Sequence, residues 1–462
     1  MGEVVTAERF SYSPGEAFYD EALLPGGAPR PTYAELFRRM SEIGAGELAD
    51  RVAAGAVATG VAFGGERDPR PFHVDPVPRV FGAEEWERLA AGLVQRVRAL
   101  DSFVADVYGD RAIVDAGVVP AGVIESCDHL EPRLAELPAP ATRIGVAGLD
   151  VVRGADGVLR VLEDNVRTPS GTAYMTAARD SVAAALPELS GARRPLDDAF
   201  RALGRALSAG EASVVLLSDG PSNSAWYEHR RIADEVGIPL VTLADLRTAG
   251  GRLHANGRPV DVVYRRTDED RLTDERGELT SVGAALYEPL RAGTLTCVNG
   301  FGTGVADDKL VHAYVEAMVR FYLEEEPLLA SVHTYDLGDP DCLAEVLDRL
   351  GELVLKPRTG HGGHGVVVGA HANVADLREV AQAIRRDPHD YVAQETIMLS
   401  RHPTVIDGRL EPRHVDLRPF VFLTADDATV APGGLTRVAL ERGALVVNSS
   451  QRGGGKDTWV LW

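Results

Sequence analysis

Lysine is nearly absent from this chain. Of its 48 lysines and arginines only Lys309, Lys356 and Lys456 are lysine, so arginine supplies almost every cation, and the compact ammonium is kept where a point charge serves better than a planar fork. All three lie in glycine-containing segments. Cysteine is scarce too. Cys127, Cys297 and Cys342 lie far apart without metal-type spacing, which argues against a disulfide framework or a cysteine-zinc site and for a reducing compartment. No apolar run approaches the ~18 residues of a membrane helix, and the first residues carry no charged-then-apolar leader. A cytoplasmic protein with no membrane partner is expected. The formal charge of -21 argues against nucleic acid as a partner, while leaving room for a local basic pocket.

What the chain has in ordinary measure is core-forming material. At 462 residues and 45% hydrophobic content, about two to four domains are expected. The stretch most informative about chemistry is 148–174, GLDVVRGADGVLRVLEDNVRTPSGTAY. Apolar runs at Val151 and at Leu159 to Leu162, separated by Ala155-Asp156-Gly157, predict a hairpin. Asp150 enters its first strand, and Glu163 and Asn165 leave the second on one face. Two carboxylates and a carboxamide form an oxygen-only set suited to Mg²⁺; the plainer reading is an acidic strand end followed by a loop. Arg167 and Thr168-Pro169-Ser170-Gly171 add a cation and small residues suited to an anionic ligand.

Farther on, Asn299 to Lys309 is a glycine-rich segment leading to a predicted helix from about Leu310 to Tyr322, an arrangement that favours an anion. Lys356 sits on the predicted strand Val354 to Pro357. Thr359, Gly360, Gly362, Gly363 and Gly365 then form a glycine-rich hairpin ahead of a return strand at Val366, a lid whose backbone N–H groups can fold over phosphates. His361 and His364 within it lack a third metal ligand. Gln394 and Glu395 end another predicted strand, with groups that suit an adenine edge or ribose hydroxyls, or that simply terminate the strand. Arg418 and Arg437 project from later strands, and their forks suit a phosphoryl group or a carboxylate, or structural ion pairs.

An Asp followed by Glu-x-Asn resembles the metal-binding end of an ATP-grasp ligase, and LEDNVRTPSGTAY resembles the circularly permuted ATP-grasp type 2 family. Those residues ordinarily come last. Here they come early, while Arg418, Arg437, Asn448 and the glycine segment up to Lys456 close the chain, as permutation implies. WERLAAGLVQRVRALDSFVADVYGD resembles the family's N-terminal helical region, so the likeness runs from about Trp86 to Trp462. Two departures stand out: His364 where an aromatic is expected, and Arg452 with no serine before Lys456.

The resemblance implies an ATP- and Mg²⁺-dependent carboxylate–amine ligase acting through an acyl phosphate. In it Asp150, Glu163 and Asn165 hold the metal, while Lys309, Lys356, the lid, Gln394 and Glu395 bind the nucleotide. Arg418, Arg437, Arg167 and Lys456 stabilise the transferring charge. The expected partners are small carboxylate and amine substrates. A phosphotransferase and a non-catalytic nucleotide-binding scaffold are the alternatives.

The expected fold class is α/β (α+β), a circularly permuted ATP-grasp fold with a small parallel-sheet domain and an N-terminal helical region. Its expected parts are a mostly helical 1–115; the metal-site segment 116–205; a small α/β domain 206–300, from the strand, helix, strand order that starts at Ser213; the lid and nucleotide subdomain 301–410; and a C-terminal sheet 411–462. Within the small domain, Ser218 to Ser224, Asn223, Glu228 and the Arg265-Arg266-Thr267-Asp268 segment are candidates for substrate binding.

Overall fold

The computed structural model describes residues 12–13, 15, 17–207, 212–360, 365–444 and 453–462. Its axis is the 15-residue strand Arg409–Leu423. From Arg413 onward this strand is buried at every position except Arg418, the pattern of a central strand interrupted where a side chain faces a cavity. It pairs with Arg401–Ile406, with Ala428–Val438, and with Val146–Gly148 and Asp150–Arg153. Proline cannot donate to a ladder, and Pro419 sits where the register slips beside a bulge.

Leu159–Glu163 and Ala330–Ser331 extend one edge of this nine-stranded sheet, and Gly454–Val460 and Val74–Phe81 the other. The region expected to be mostly helical thus also supplies a strand, Val74–Phe81, parallel to the C-terminal one. Side-chain alternation divides the sheet. Phe420 and Phe422 join the core under helices Ala45–Thr59 and Thr172–Ala185, whereas Leu417, Val421 and Leu423 pack with the long helix Ala83–Val107 on the other face.

Among the described residues four smaller sheets accompany this one, the smallest being the pair Ala62–Phe63 and Arg70–Pro71. Val214–Ser218, Leu240–Val241, Val262–Arg266 and Thr296–Val298 form a parallel sheet, which is the strand, helix, strand unit read from the sequence. A meander of Leu246–Ala249, Arg252–Ala255 and Arg258–Val260 adjoins it in sequence. Leu353–Pro357 lies antiparallel between Tyr391–Glu395 and Val367–Val368, with Thr334–Asp336 at the edge. Leu353, Leu355 and Ala393 turn to helices Pro340–Asp348 and Val374–Arg386. Val354 and Lys356 therefore turn the other way.

The expected strand at Val446 to Asn448 lies outside the described residues, as do Gly362, Gly363, His361, His364 and Arg452. Among the described residues no helix is long and apolar enough to cross a membrane.

The long helix carries a glycine in its buried stripe for a packing reason. A Cβ on Gly92 would stand 2.3 Å from Leu329 Cγ. Gly92→Ala gains about 1 kcal/mol of helix propensity, but overpacking costs about 1–3 kcal/mol, so a lower Tm is expected. A raised Tm in a thermal melt would refute the close packing.

Candidate active site

The 150–163 hairpin forms as its turn residues require: Gly157 takes a positive φ of 78°, and Asp150 lies opposite Glu163 in the register. Between the hairpin and the Leu353–Pro357 sheet lies a cavity of about 600 Å³. Twelve of the residues singled out in the sequence line it: Asp150, Glu163, Asn165, Arg167, Lys309, Lys356, Thr359, Gly360, Gln394, Glu395, Arg418 and Arg437. Val152, Leu162 and Leu399 form an apolar wall from the hairpin side, and Val354, Val366 and Val368 form the opposing one.

Asp150 is the most constrained member. Arg418 Nε and an Nη donate to its two oxygens at 2.7 and 2.9 Å, and an Arg437 Nη lies 2.8 Å from Oδ2. Burial alone would raise the carboxyl, but the two guanidinium groups overcome it and hold Asp150 at about 2. Arg437 also grips Asp416 through Nε at 2.8 Å and an Nη at 2.6 Å. The open oxygen donors are therefore Glu163 and Asn165. Asn165 Nδ2 is buried with no hydrogen-bond partner among the described residues.

Among the described residues no three His, Cys, Asp or Glu side chains cluster to hold a metal. With Asp150 taken by two arginines, Glu163 and Asn165 leave a sparse oxygen-donor set, of the kind that a hard cation such as Mg²⁺ completes with water and phosphate oxygens. Asp164, between the two open donors, turns away from them. Arg96 clamps it at 2.6 and 2.7 Å, and His312 Nδ1 lies 2.7 Å from it. Arg96, salt-bridged to Asp164 from the long helix, is a buried brace for the Glu163–Asn165 turn.

Lys309 Nζ donates to Gly360 O at 2.7 Å and lies 3.6 Å from Glu163 Oε1, so it spans the lid base and the hairpin. Lys356 donates to Gln394 Oε1; burial depresses its ammonium below the ordinary lysine value, with Glu163 opposing the shift. Gln394 Nε2 is taken by Thr334 Oγ1 at 2.9 Å, and Glu395 is held by Tyr335 at 2.6 Å and Arg349 at 2.9 Å. Both side chains line the cavity with their polar atoms already bonded to protein. Arg358, which the sequence did not single out, ties the lid base to Asp308 at 2.7 and 2.9 Å.

Several expectations need correction. Lys456 is off the lining: its fully buried ammonium contacts Asp75, Val77 O and Pro403 O, because the parallel strand pairing sets it opposite Asp75. Gly365 also lies off the lining, packed against Pro357. The glycines before Lys309 lead first into a 3-10 turn at Thr303–Val305, and the expected helix from about Leu310 forms as a 3-10 turn, Val311–Tyr314, continuing into the α-helix Val315–Leu323. Gly302 and Gly304 admit Tyr108 and His129 at close range.

Of the substrate-binding candidates in the small domain, Ser224 lines the cavity. Glu228 and Arg266 stand behind it, bracing the 169–171 loop through Gly171 N at 2.7 Å and Ser170 Oγ at 2.6 Å. Arg167 is pinned between Asp307 at 2.6 Å and Asp270 at 2.9 Å.

The corrected role of Lys456 is testable. Breaking one side of a buried ion pair costs about 3–5 kcal/mol, so Lys456→Met is expected to lower Tm markedly. Lys309→Met, at the cavity rim, removes a partly exposed contact worth about 1 kcal/mol or less. Thermal melts in which Lys309→Met is the more damaging change would reverse the assignment.

Comparison with known proteins agrees with this arrangement. The family described as circularly permuted ATP-grasp type 2 matches residues 78–439. An uncharacterized Mycobacterium tuberculosis protein is 42% identical over 96% of this chain and 84% of its own length. A Frankia casuarinae protein provisionally named glutamate–cysteine ligase 2-2 is 42% identical over 96% of this chain, but over only 53% of itself. A glutathione synthetase-like effector from Globodera pallida shares the fold, with a TM-score of 0.59 at 13% identity over 90% of this chain and 97% of that one. With the metal-type hairpin early, the lid in the middle and the arginine strands late on such a fold, this chain belongs to the circularly permuted ATP-grasp type 2 family.

Proposed function

We propose that the protein is an ATP- and Mg²⁺-dependent ligase that joins a carboxylate to an amine through an acyl phosphate, releasing ADP and phosphate. The observation that carries this reading is the convergence on one cavity of Glu163 and Asn165, the lysines Lys309 and Lys356, and the guanidinium groups of Arg418 and Arg437. The slot between Val152, Leu162 and Leu399 on one side and Val354 and Val368 on the other has the flat apolar character an adenine ring needs. Lys356 and Lys309, which line the same cavity, would offset the charge of a triphosphate leaving that slot.

Glu163 and Asn165, with Asp150 behind them, would hold a Mg²⁺ ion, which when bound would supply charge neutralisation to the phosphates. Arg418 and Arg437, preorganised by Asp150 and Asp416, present positive charge without having to be ordered during the reaction. Attack by the substrate's own carboxylate makes an enzyme nucleophile unnecessary. The provisional name of the Frankia relative concerns a carboxylate and an amine and supports the same class, although nearly half of that protein lies outside the match.

The reading is tested by ADP and phosphate release with MgATP across pools of amino acids and amines. Pool-dependent release is expected, with Glu163→Gln and Lys356→Ala each lowering it by roughly 100-fold or more. Phosphorylated product without amide would mean a phosphotransferase. ATP binding with no stimulation by any pool would mean a scaffold.

A further inference from the structure

One cavity-lining side chain has no task in that account. His129 lines the cavity with Arg167, Thr168 and Asp307, and neither ring nitrogen has a hydrogen-bond partner among the described residues. Its placement is tightly built. A Cβ on Gly304 would fall 2.5 Å from His129 Cβ, 2.7 Å from its Cγ and 3.0 Å from Arg167 Cδ. The imidazole thus lies over a glycine backbone beside the arginine that follows Asn165 by two residues.

We infer that His129 is the general base of the amide-forming step, accepting a proton from the incoming amine; this rests on the ligase reading above. In that step the amine lone pair forms the C–N bond, the C–O bond to phosphate breaks, and one N–H proton passes to an imidazole nitrogen. The imidazolium then returns it to the departing phosphate. The balance is R–NH₂ + R′CO–OPO₃²⁻ → R′CO–NHR + HPO₄²⁻. The amine nitrogen becomes acidic only as its lone pair is committed, so a weak base suffices provided it is unprotonated at the working pH.

The surroundings meet that condition. Burial is the largest influence depressing His129 below the ordinary histidine value, Arg167 and Arg271 act in the same direction, and Asp270 and Asp307 oppose them. Neutral imidazole therefore persists at pH 7 and is lost only as pH falls through a value below 6.5.

The test separates the two half-reactions. MgATP and the stimulating amino-acid pool are supplied either with the pool's own amine or with hydroxylamine, a nucleophile that reacts with acyl phosphates without base assistance. His129→Asn is expected to lower amide formation by roughly 100-fold, within the usual range for general acid–base catalysis, and hydroxamate formation by less than about threefold, since attack by hydroxylamine draws nothing from a base. With the free-base concentration of each nucleophile held constant across the pH range, the wild-type rate of amide formation is expected to lose activity on an acidic limb below pH 6.5, with hydroxamate formation lacking that limb. Equal losses in both assays, or a limb common to both nucleophiles, would make His129 a structural residue and overturn the inference while leaving the ligase reading intact. Absence of hydroxamate from the wild-type protein would instead remove the ligase reading, and this inference with it.

Discussion

Two arginines from the last quarter of the chain hold one carboxylate from its first half. Arg418 and Arg437 converge on Asp150, and Asp416 completes a neutral group of four charges. Such a group is stable only when every member is present, because removing one partner leaves a buried charge unpaired. It also fastens the hairpin to the central strand at the point where that strand's buried run is broken by Arg418. In a permuted fold this junction cannot rely on chain continuity, so side chains and strand pairing must set it.

The rest of the site is arranged around that fixed corner. Arg96 and His312 brace Asp164 from behind, which turns Glu163 and Asn165 to the cavity by strand alternation. Asn299 fastens the parallel-sheet unit to the same hairpin: its Oδ1 accepts from Gly145 and Val146 at 2.9 and 2.8 Å, and its Nδ2 donates to Val146 O and Val166 O at 2.6 and 2.7 Å. Arg358 and Asp308 anchor the lid base. Each contact joins segments more than 40 residues apart in sequence, so the cavity is a product of the whole fold.

That distance explains what could be read in the sequence and what could not. The hairpin, the long helix, the parallel unit and the lysine strand were legible because each rests on local signals, a turn tripeptide or an apolar period. Strand Val74–Phe81 was not, since its VDPVPRVF carries two prolines and finds its partner at the far end of the chain. Arg418 and Asp150 were both legible as functional side chains, whereas their pairing was not, because register across the sheet decides it. His129 gave no signal at all. A lone histidine in a loop means nothing until Gly304 and Arg167 are brought beside it.

The scarcity of lysine can now be understood more closely. Arginine forks are matched in this protein to carboxylates, two donors to two acceptors, as in Arg96 with Asp164, Arg437 with Asp416 and Arg418 with Asp150. A carboxylate partner offsets part of that charge without removing it, so an arginine that lines the cavity, as Arg418 does, still presents a positive edge there. Lys309 and Lys356 make their shortest contacts instead with neutral oxygens, Gly360 O and the Gln394 carboxamide, so their positive charge remains available to the cavity. Lys456 follows a different logic: its three acceptors, Asp75, Val77 O and Pro403 O, surround a single nitrogen, a geometry that a compact ammonium satisfies and a planar guanidinium cannot. The three positions are alike in needing a point charge, and only the position of the chain in space separates the two that face a ligand from the one that holds two strands together.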